Sequence, residues 1–181
     1  MEVKKVQLFL RILAILVLVL TACLVSLDTQ TKLVFNILEK KATFKDLDAL
    51  FVLVHVVSVA AGHHLLQLGL KFITANRLKE SSKTSLYLYL KWFCFVFDQV
   101  MVYLVFATWS AALQASMLAV TGSESLQWMK VCNIFTRFCY QISGGLVCGF
   151  FAWFIMAIVS SISAFSLFCL YSPHHFMLLK P

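Results

Sequence analysis

Apolar residues run along this chain in four long blocks, with polar and charged residues collected between them rather than interleaved at helical or strand period. A hydrocarbon core about 30 Å thick needs roughly 20 apolar residues per helix, and the blocks at 8–27, 47–70, 92–120 and 142–171 meet that length. The pattern predicts an all-α membrane protein, a four-helix transmembrane bundle forming one unit over 1–181. Helices 1 and 3 run one way, and helices 2 and 4 the other. The last two blocks are long enough to tilt or to extend beyond the bilayer.

Composition agrees. Hydrophobic residues make up 61% of the chain and charged residues 13%, and the mean hydropathy is +0.90, values foreign to a soluble domain. The connections, at about 28–46, 71–91 and 121–141, leave no room for a catalytic domain. The first block follows Lys4 and Lys5, but its length and the lack of a small-residue cleavage pattern before Asp28 make it a retained helix rather than a secretory signal.

Charge sets the expected orientation. With both termini cytoplasmic, the inner set is Lys4, Lys5, Arg11, Lys71, Arg77, Lys79, Lys83, Lys91 and Lys180, and the outer set is Lys32, Lys40, Lys41, Lys45, Lys130 and Arg137. The larger set lies inside, as the positive-inside rule asks. The net charge of +7 then faces an anionic leaflet, so the partner it implies is the lipid bilayer and not a nucleic acid.

Two charges lie within the blocks. Asp98 sits in the third and Arg11 in the first, and an ionised side chain at that depth costs roughly 2.5–3.5 kcal/mol on insertion scales. At 1.5 Å rise per residue they lie roughly 9 and 5 Å below the same membrane face, within reach of each other. A structural ion pair is one solution. The other has Arg11 reaching to the headgroups and Asp98 protonated or bonded to Gln99 or Tyr103.

Small residues mark the packing faces. Ala107, Ala111, Ala115 and Ala119 recur every fourth position in helix 3, Gly145 and Gly149 do so in helix 4, and Ser58 and Gly62 in helix 2. Such faces serve either packing within the bundle or an oligomer contact.

Of the six cysteines, Cys23, Cys94, Cys148 and Cys169 fall in or at apolar blocks and read as small hydrophobes. Cys132 and Cys139 share the second outer connection, where a disulfide can persist. A continuous helix would hold them about 10 Å apart along its axis, so a bond requires a bend; otherwise they are two thiols near the membrane surface. His55, His63 and His64 lie in helix 2, but the ring positions at 63 and 64 are turned by about 80° and 180° from that at 55, so the three do not converge on a metal. His174 and His175 follow Pro173 in the tail. No catalytic spacing, nucleotide fingerprint or cofactor motif is present.

The run Phe97-Asp98-Gln99-Val100-Met101-Val102-Tyr103-Leu104, the alanine-rich continuation, Gly122, Trp128-Met129-Lys130-Val131-Cys132 with Phe135, and Phe138-Cys139 resemble the plant CASP-like proteins, relatives of the Casparian strip membrane domain proteins. The likeness extends to Arg11, Leu65-Leu66-Gln67 and Ser160-Ser161-Ile162-Ser163. It implies a four-span plasma-membrane protein with cytoplasmic termini that forms homodimers, heterodimers or larger assemblies with CASP-like relatives. Such a protein is a non-enzymatic scaffold; in the Casparian members the scaffold recruits cell-wall-modifying enzymes. The family also singles out an Arg in helix 1 and an Asp in helix 3, here Arg11 and Asp98. The 29–46 segment departs from the signature of the Casparian-forming members, which confines the implication to membrane scaffolding. A small transporter or channel using Asp98 as an ion or proton site is the alternative, and it would need polar residues lining a route on several helices.

Overall fold

A computed structural model describes residues 2–34, 38–77, 85–122 and 131–171 of the chain. The basic connection with Lys79 and Lys83, the Trp128-Met129-Lys130 stretch and the tail with His174 and His175 lie outside the described residues. Helix α1 (Glu2–Ser26) leads into a hairpin of β1 (Thr29–Val34) and β2 (Leu38–Thr43), then a 3-10 turn (Phe44–Asp46). Helices α2 (Asp48–Arg77), α3 (Ser85–Thr121), the short α4 (Val131–Ile134) and α5 (Thr136–Tyr171) follow.

The four long helices form the expected bundle. Each contains a segment long and apolar enough to cross a membrane: Lys5–Ser26, Asp48–Ile73, Tyr89–Thr121 and Thr136–Phe168. The 37 residues of α3 would extend about 55 Å, well past the hydrocarbon thickness. Helix α1 packs along α2 and α5, and α3 also packs along α2 and α5, so α1 and α3 face each other across the diagonal.

What enters the core follows a spacing of three and four residues on every helix. In α1 it is Arg11, Ala14, Leu18, Thr21 and Val25; in α2 Leu50, Leu53, Val57, Ala60, His64 and Gln67; in α3 Asp98, Val102, Val105 and Ala112. Helix α5 continues the pattern with Phe138, Ile142, Ala152, Met156 and Ser160. A seam of this period keeps one face toward the neighbours along the length of the helix. The opposite faces expose Phe9, Leu16, Val59, Leu66, Phe97 and Phe165, which suit lipid rather than water.

The small-residue positions divide between two environments. Gly145 and Gly149 are buried. A Cβ on Gly145 would stand 2.7 Å from Val25 Cγ2, and one on Gly149 would stand 3.1 Å from Trp109 Cδ1 and 3.5 Å from Thr21 Cγ2. These glycines therefore admit α1 and the Trp109 indole, whose Nε1 donates to the Leu146 carbonyl at 2.8 Å. They pack the bundle internally and do not form an oligomer face. Ala107 and Ala111 are exposed, Ala115 is half-buried, and the buried alanine of α3 is the neighbouring Ala112. Their stripe thus lies outside the core, because the seam through Asp98 and Val105 runs about one residue to its side. Ser58 and Gly62 are also exposed.

The first connection, expected as a loop between helices 1 and 2, holds a two-stranded antiparallel hairpin whose register pairs Thr29 with Thr43 and Val34 with Leu38. Asp46 closes its base by accepting from Thr43 N at 2.6 Å and Thr43 Oγ1 at 2.9 Å. Helix α3 stops at Gly122, whose φ of 70° is the left-handed conformation that glycine adopts without a Cβ penalty.

Candidate functional site

Six of the core-stripe positions named above are polar, and five of them, Arg11, His64, Gln67, Asp98 and Ser160, sit at one end of the bundle, where α1 begins and α5 finishes. Arg11 reaches across the diagonal from α1 and Asp98 meets it from α3. Nη2 donates to Oδ2 at 2.6 Å and Nη1 to Oδ1 at 3.4 Å, with both side chains 2% exposed. The α2 helix supplies two further partners of Asp98. Gln67 Nε2 donates to Asp98 Oδ1 at 2.8 Å, and His63 Nε2 stands 3.1 Å from the same oxygen. From α5, Ser163 Oγ accepts from Arg11 Nη2 at 3.3 Å and lies 3.4 Å from Asp98 Oδ2.

The cluster reaches toward the membrane face through Gln7, which donates to Ser163 Oγ at 2.8 Å and accepts from Lys71 Nζ at 3.1 Å. One step deeper, Ser160 Oγ donates to Gln99 Oε1 at 2.7 Å. Gln99 is thus engaged by α5, and Tyr103 is exposed; neither holds Asp98.

Donor inventory fixes one tautomer. Arg11 Nη1 lies 3.3 Å from His64 Nδ1, and a guanidinium only donates, so Nδ1 accepts and the neutral ring carries its proton on Nε2. That Nε2 and Arg11 Nε are buried without a partner among the described residues. His55 stands apart, with its Nδ1 2.8 Å from the Phe51 carbonyl. No three His, Cys, Asp or Glu side chains are grouped to hold a metal ion among the described residues.

Sequence reasoning placed Arg11 and Asp98 but left His63, His64, Gln67 and Ser163 unassigned to them. The signal for two of these was present: His64 and Gln67 continue the stripe of Leu50, Leu53, Val57 and Ala60. Measuring the histidines against His55, which lies off that stripe, concealed it.

The opposite end is tied covalently. Cys132 and Cys139 are joined with Cα atoms 5.7 Å apart. The chain achieves this because the helix breaks at Phe135, between α4 and α5, which supplies the bend that a continuous helix would deny. Cys23, Cys94 and Cys148 are free thiols. The hairpin is fastened here as Gln30 Oε1 accepts from Phe138 N at 3.1 Å, and Gln141 Nε2 donates to the Leu24 carbonyl at 3.2 Å. Asp28, beyond the end of α1, is buried. Its burial raises the carboxyl above the usual 3.8, an effect partly opposed by Arg137.

Four spanning helices closed at one end by a charged cluster and at the other by a disulfide define a compact multi-pass membrane protein. The Casparian strip membrane protein domain matches residues 1–155, and the chain belongs to that family. It is 59% identical over 177 residues to CASP-like protein 2C1 of Vitis vinifera, an alignment covering 98% of this chain and 85% of the relative. To CASP-like protein 2C1 of Populus trichocarpa it is 53% identical over 180 residues, with 99% and 98% covered. CASP-like protein XL3 of Gossypium hirsutum is 49% identical over 180 residues, again with 99% and 98% covered. No solved structure matches the chain.

Proposed function

We propose that this protein is a non-enzymatic scaffold of the plasma membrane, with both termini cytoplasmic, that associates with itself and with other CASP-like proteins to organise a membrane domain. Cell-wall-modifying enzymes are the class of partner such a domain would gather. The observation that carries the reading is the exposure of Ala107 and Ala111 on α3, beside a buried Ala112. A flat small-residue face that the bundle leaves unused allows a second helix to approach closely in lipid, where association rests on packing and not on excluded water.

The transporter reading requires a polar route through the bundle. Above Ser160 and Gln99 the core is Leu18, Val57, Val105 and Ala152, and the one buried hydroxyl beyond among the described residues, Thr21, bonds its own helix at the Val17 carbonyl at 2.8 Å. The polar cluster therefore ends inside the bundle, which favours a structural role for Asp98.

Paired substitutions test the scaffold. Ala111→Leu should leave the bundle folded and reduce crosslinked oligomers in native membranes, whereas Ala112→Leu should overpack the core and lower thermal stability by about 1–3 kcal/mol. Single-molecule photobleaching that finds only mobile monomers of the wild type would overturn the proposal. Substrate flux in reconstituted vesicles would move the transporter ahead.

A further inference from the structure

We propose that Gln67, His63 and Asp98 form a proton-operated switch, in which a second proton on the His63 ring passes Asp98 Oδ1 from the Gln67 amide to the imidazole. The geometry is a triangle. Gln67 Nε2 lies 2.8 Å from His63 Nε2 and 2.8 Å from Asp98 Oδ1, and His63 Nε2 lies 3.1 Å from that oxygen. The Gln67 amide has two hydrogens, enough to serve both neighbours while His63 Nε2 accepts. With a proton on His63 Nε2, that nitrogen becomes a donor. It then turns toward Asp98 Oδ1, and two donors 2.8 Å apart cannot both keep their places. The Gln67 amide has a second acceptor ready in the Cys94 carbonyl, 3.3 Å from Nε2. The exchange balances: one proton is taken up, and the α2–α3 hydrogen bond to Asp98 is replaced by one of the same count with an added charge.

The adjacent histidine supplies the internal contrast. His64 has its Nδ1 occupied by the Arg11 guanidinium and is 1% exposed, so a second proton there would face a donor-only cation. His63 faces a carboxylate and is 13% exposed. Around the triangle, among the described residues, the titratable and charged groups are Arg11 from α1, His64 and Lys71 from α2, and Cys94, Asp98 and, farther out beside Lys71, Lys91 from α3. Helix α5 presents the neutral Ser163. The Gln7–Lys71 contact marks the open end of the cluster, so the proton is exchanged with the side on which α1 begins.

The test is nuclear magnetic resonance of the full chain in nanodiscs, labelled at the histidine ring nitrogens and the glutamine side-chain amides, titrated from pH 8 to pH 5. The His63 nitrogens should move to the imidazolium position, and the Gln67 amide should shift with the same midpoint while the His64 ring stays neutral. In His63→Gln, where a permanent amide donor replaces the ring, the Gln67 signal should no longer respond to pH; His64→Gln should retain the response. The proposal is overturned if His63 stays neutral throughout, if the Gln67 amide is indifferent to pH in the wild type, or if its response survives in His63→Gln.

Discussion

Removing Asp98 should harm the bundle more than removing Arg11, although the two form one contact. With both side chains 2% exposed and joined at 2.6 Å, breaking the pair from either side falls in the range of about 3–5 kcal/mol measured for buried ion pairs. The neighbours decide where in that range each lies. After Arg11→Leu, Asp98 keeps the Gln67 amide at 2.8 Å and the Ser163 hydroxyl at 3.4 Å, and a stranded carboxylate can neutralise itself by taking up a proton. After Asp98→Leu, Arg11 retains Ser163 Oγ and His64 Nδ1, both at 3.3 Å, and a guanidinium has no neutral form to retreat to. Asp98→Leu belongs near the upper limit and Arg11→Leu near the lower. The double variant leaves no charge behind, so it should recover at least about 2 kcal/mol of the summed loss. Equilibrium unfolding of the four proteins in mixed micelles, with secondary structure and a tryptophan signal followed together, gives the cycle. Losses that add within about 0.5 kcal/mol would mean that the residues do not depend on each other. Equal single losses would remove the asymmetry argument.

Two further outcomes are expected. Gly145→Ala should destabilise by about 1–3 kcal/mol in thermal unfolding, because its Cβ meets a β-branched Val25 held 2.7 Å away, while Gly144→Ala, with nothing within 4 Å, should gain up to about 1 kcal/mol of helix propensity. Asp28→Asn should stabilise the protein at pH 7: a carboxyl raised by burial holds its proton more firmly folded than unfolded, so its ionised form costs stability above the folded value. That cost is relieved as pH falls toward 3.8, and the two proteins should converge in a melting series across this window.

The fold was legible in length and hydropathy alone because lipid permits few alternatives: backbone groups must be satisfied within the protein, by helices or by a closed barrel, and long apolar runs without alternation leave helices. Depth along a helix was equally legible, since a fixed rise converts the positions of Arg11 and Asp98 into distances. Azimuth was harder. The α3 alanines suggested a face by their spacing, but only the placement of Asp98 and Val105 on the diagonal decides that Ala112 turns inward and Ala111 outward. His63 was hidden for a different reason, as it lies beside the stripe rather than on it and reaches Asp98 from the edge. The hairpin at 29–43 escaped because its sequence, rich in Thr, Lys and Gln, shows no strict alternation of apolar and polar residues; among the described residues the Gln30 amide ties it to the first turn of α5.

The placement of polarity at the two ends has a consequence for how a partner could act. In lipid the helices gain nothing from excluding water, so the central half of the bundle, through Leu18, Val57, Val105 and Met156, is held by packing that a neighbouring helix could match equally well. What prevents exchange of helices between copies must therefore lie at the ends. At one, Arg11 spans the diagonal and engages α2, α3 and α5 together. At the other, the Cys132–Cys139 bond and the Gln30 contact fix the start of α5. With these closures the four helices remain one unit, so the association proposed for the small-residue surface of Ala107 and Ala111 does not require the bundle that presents it to open.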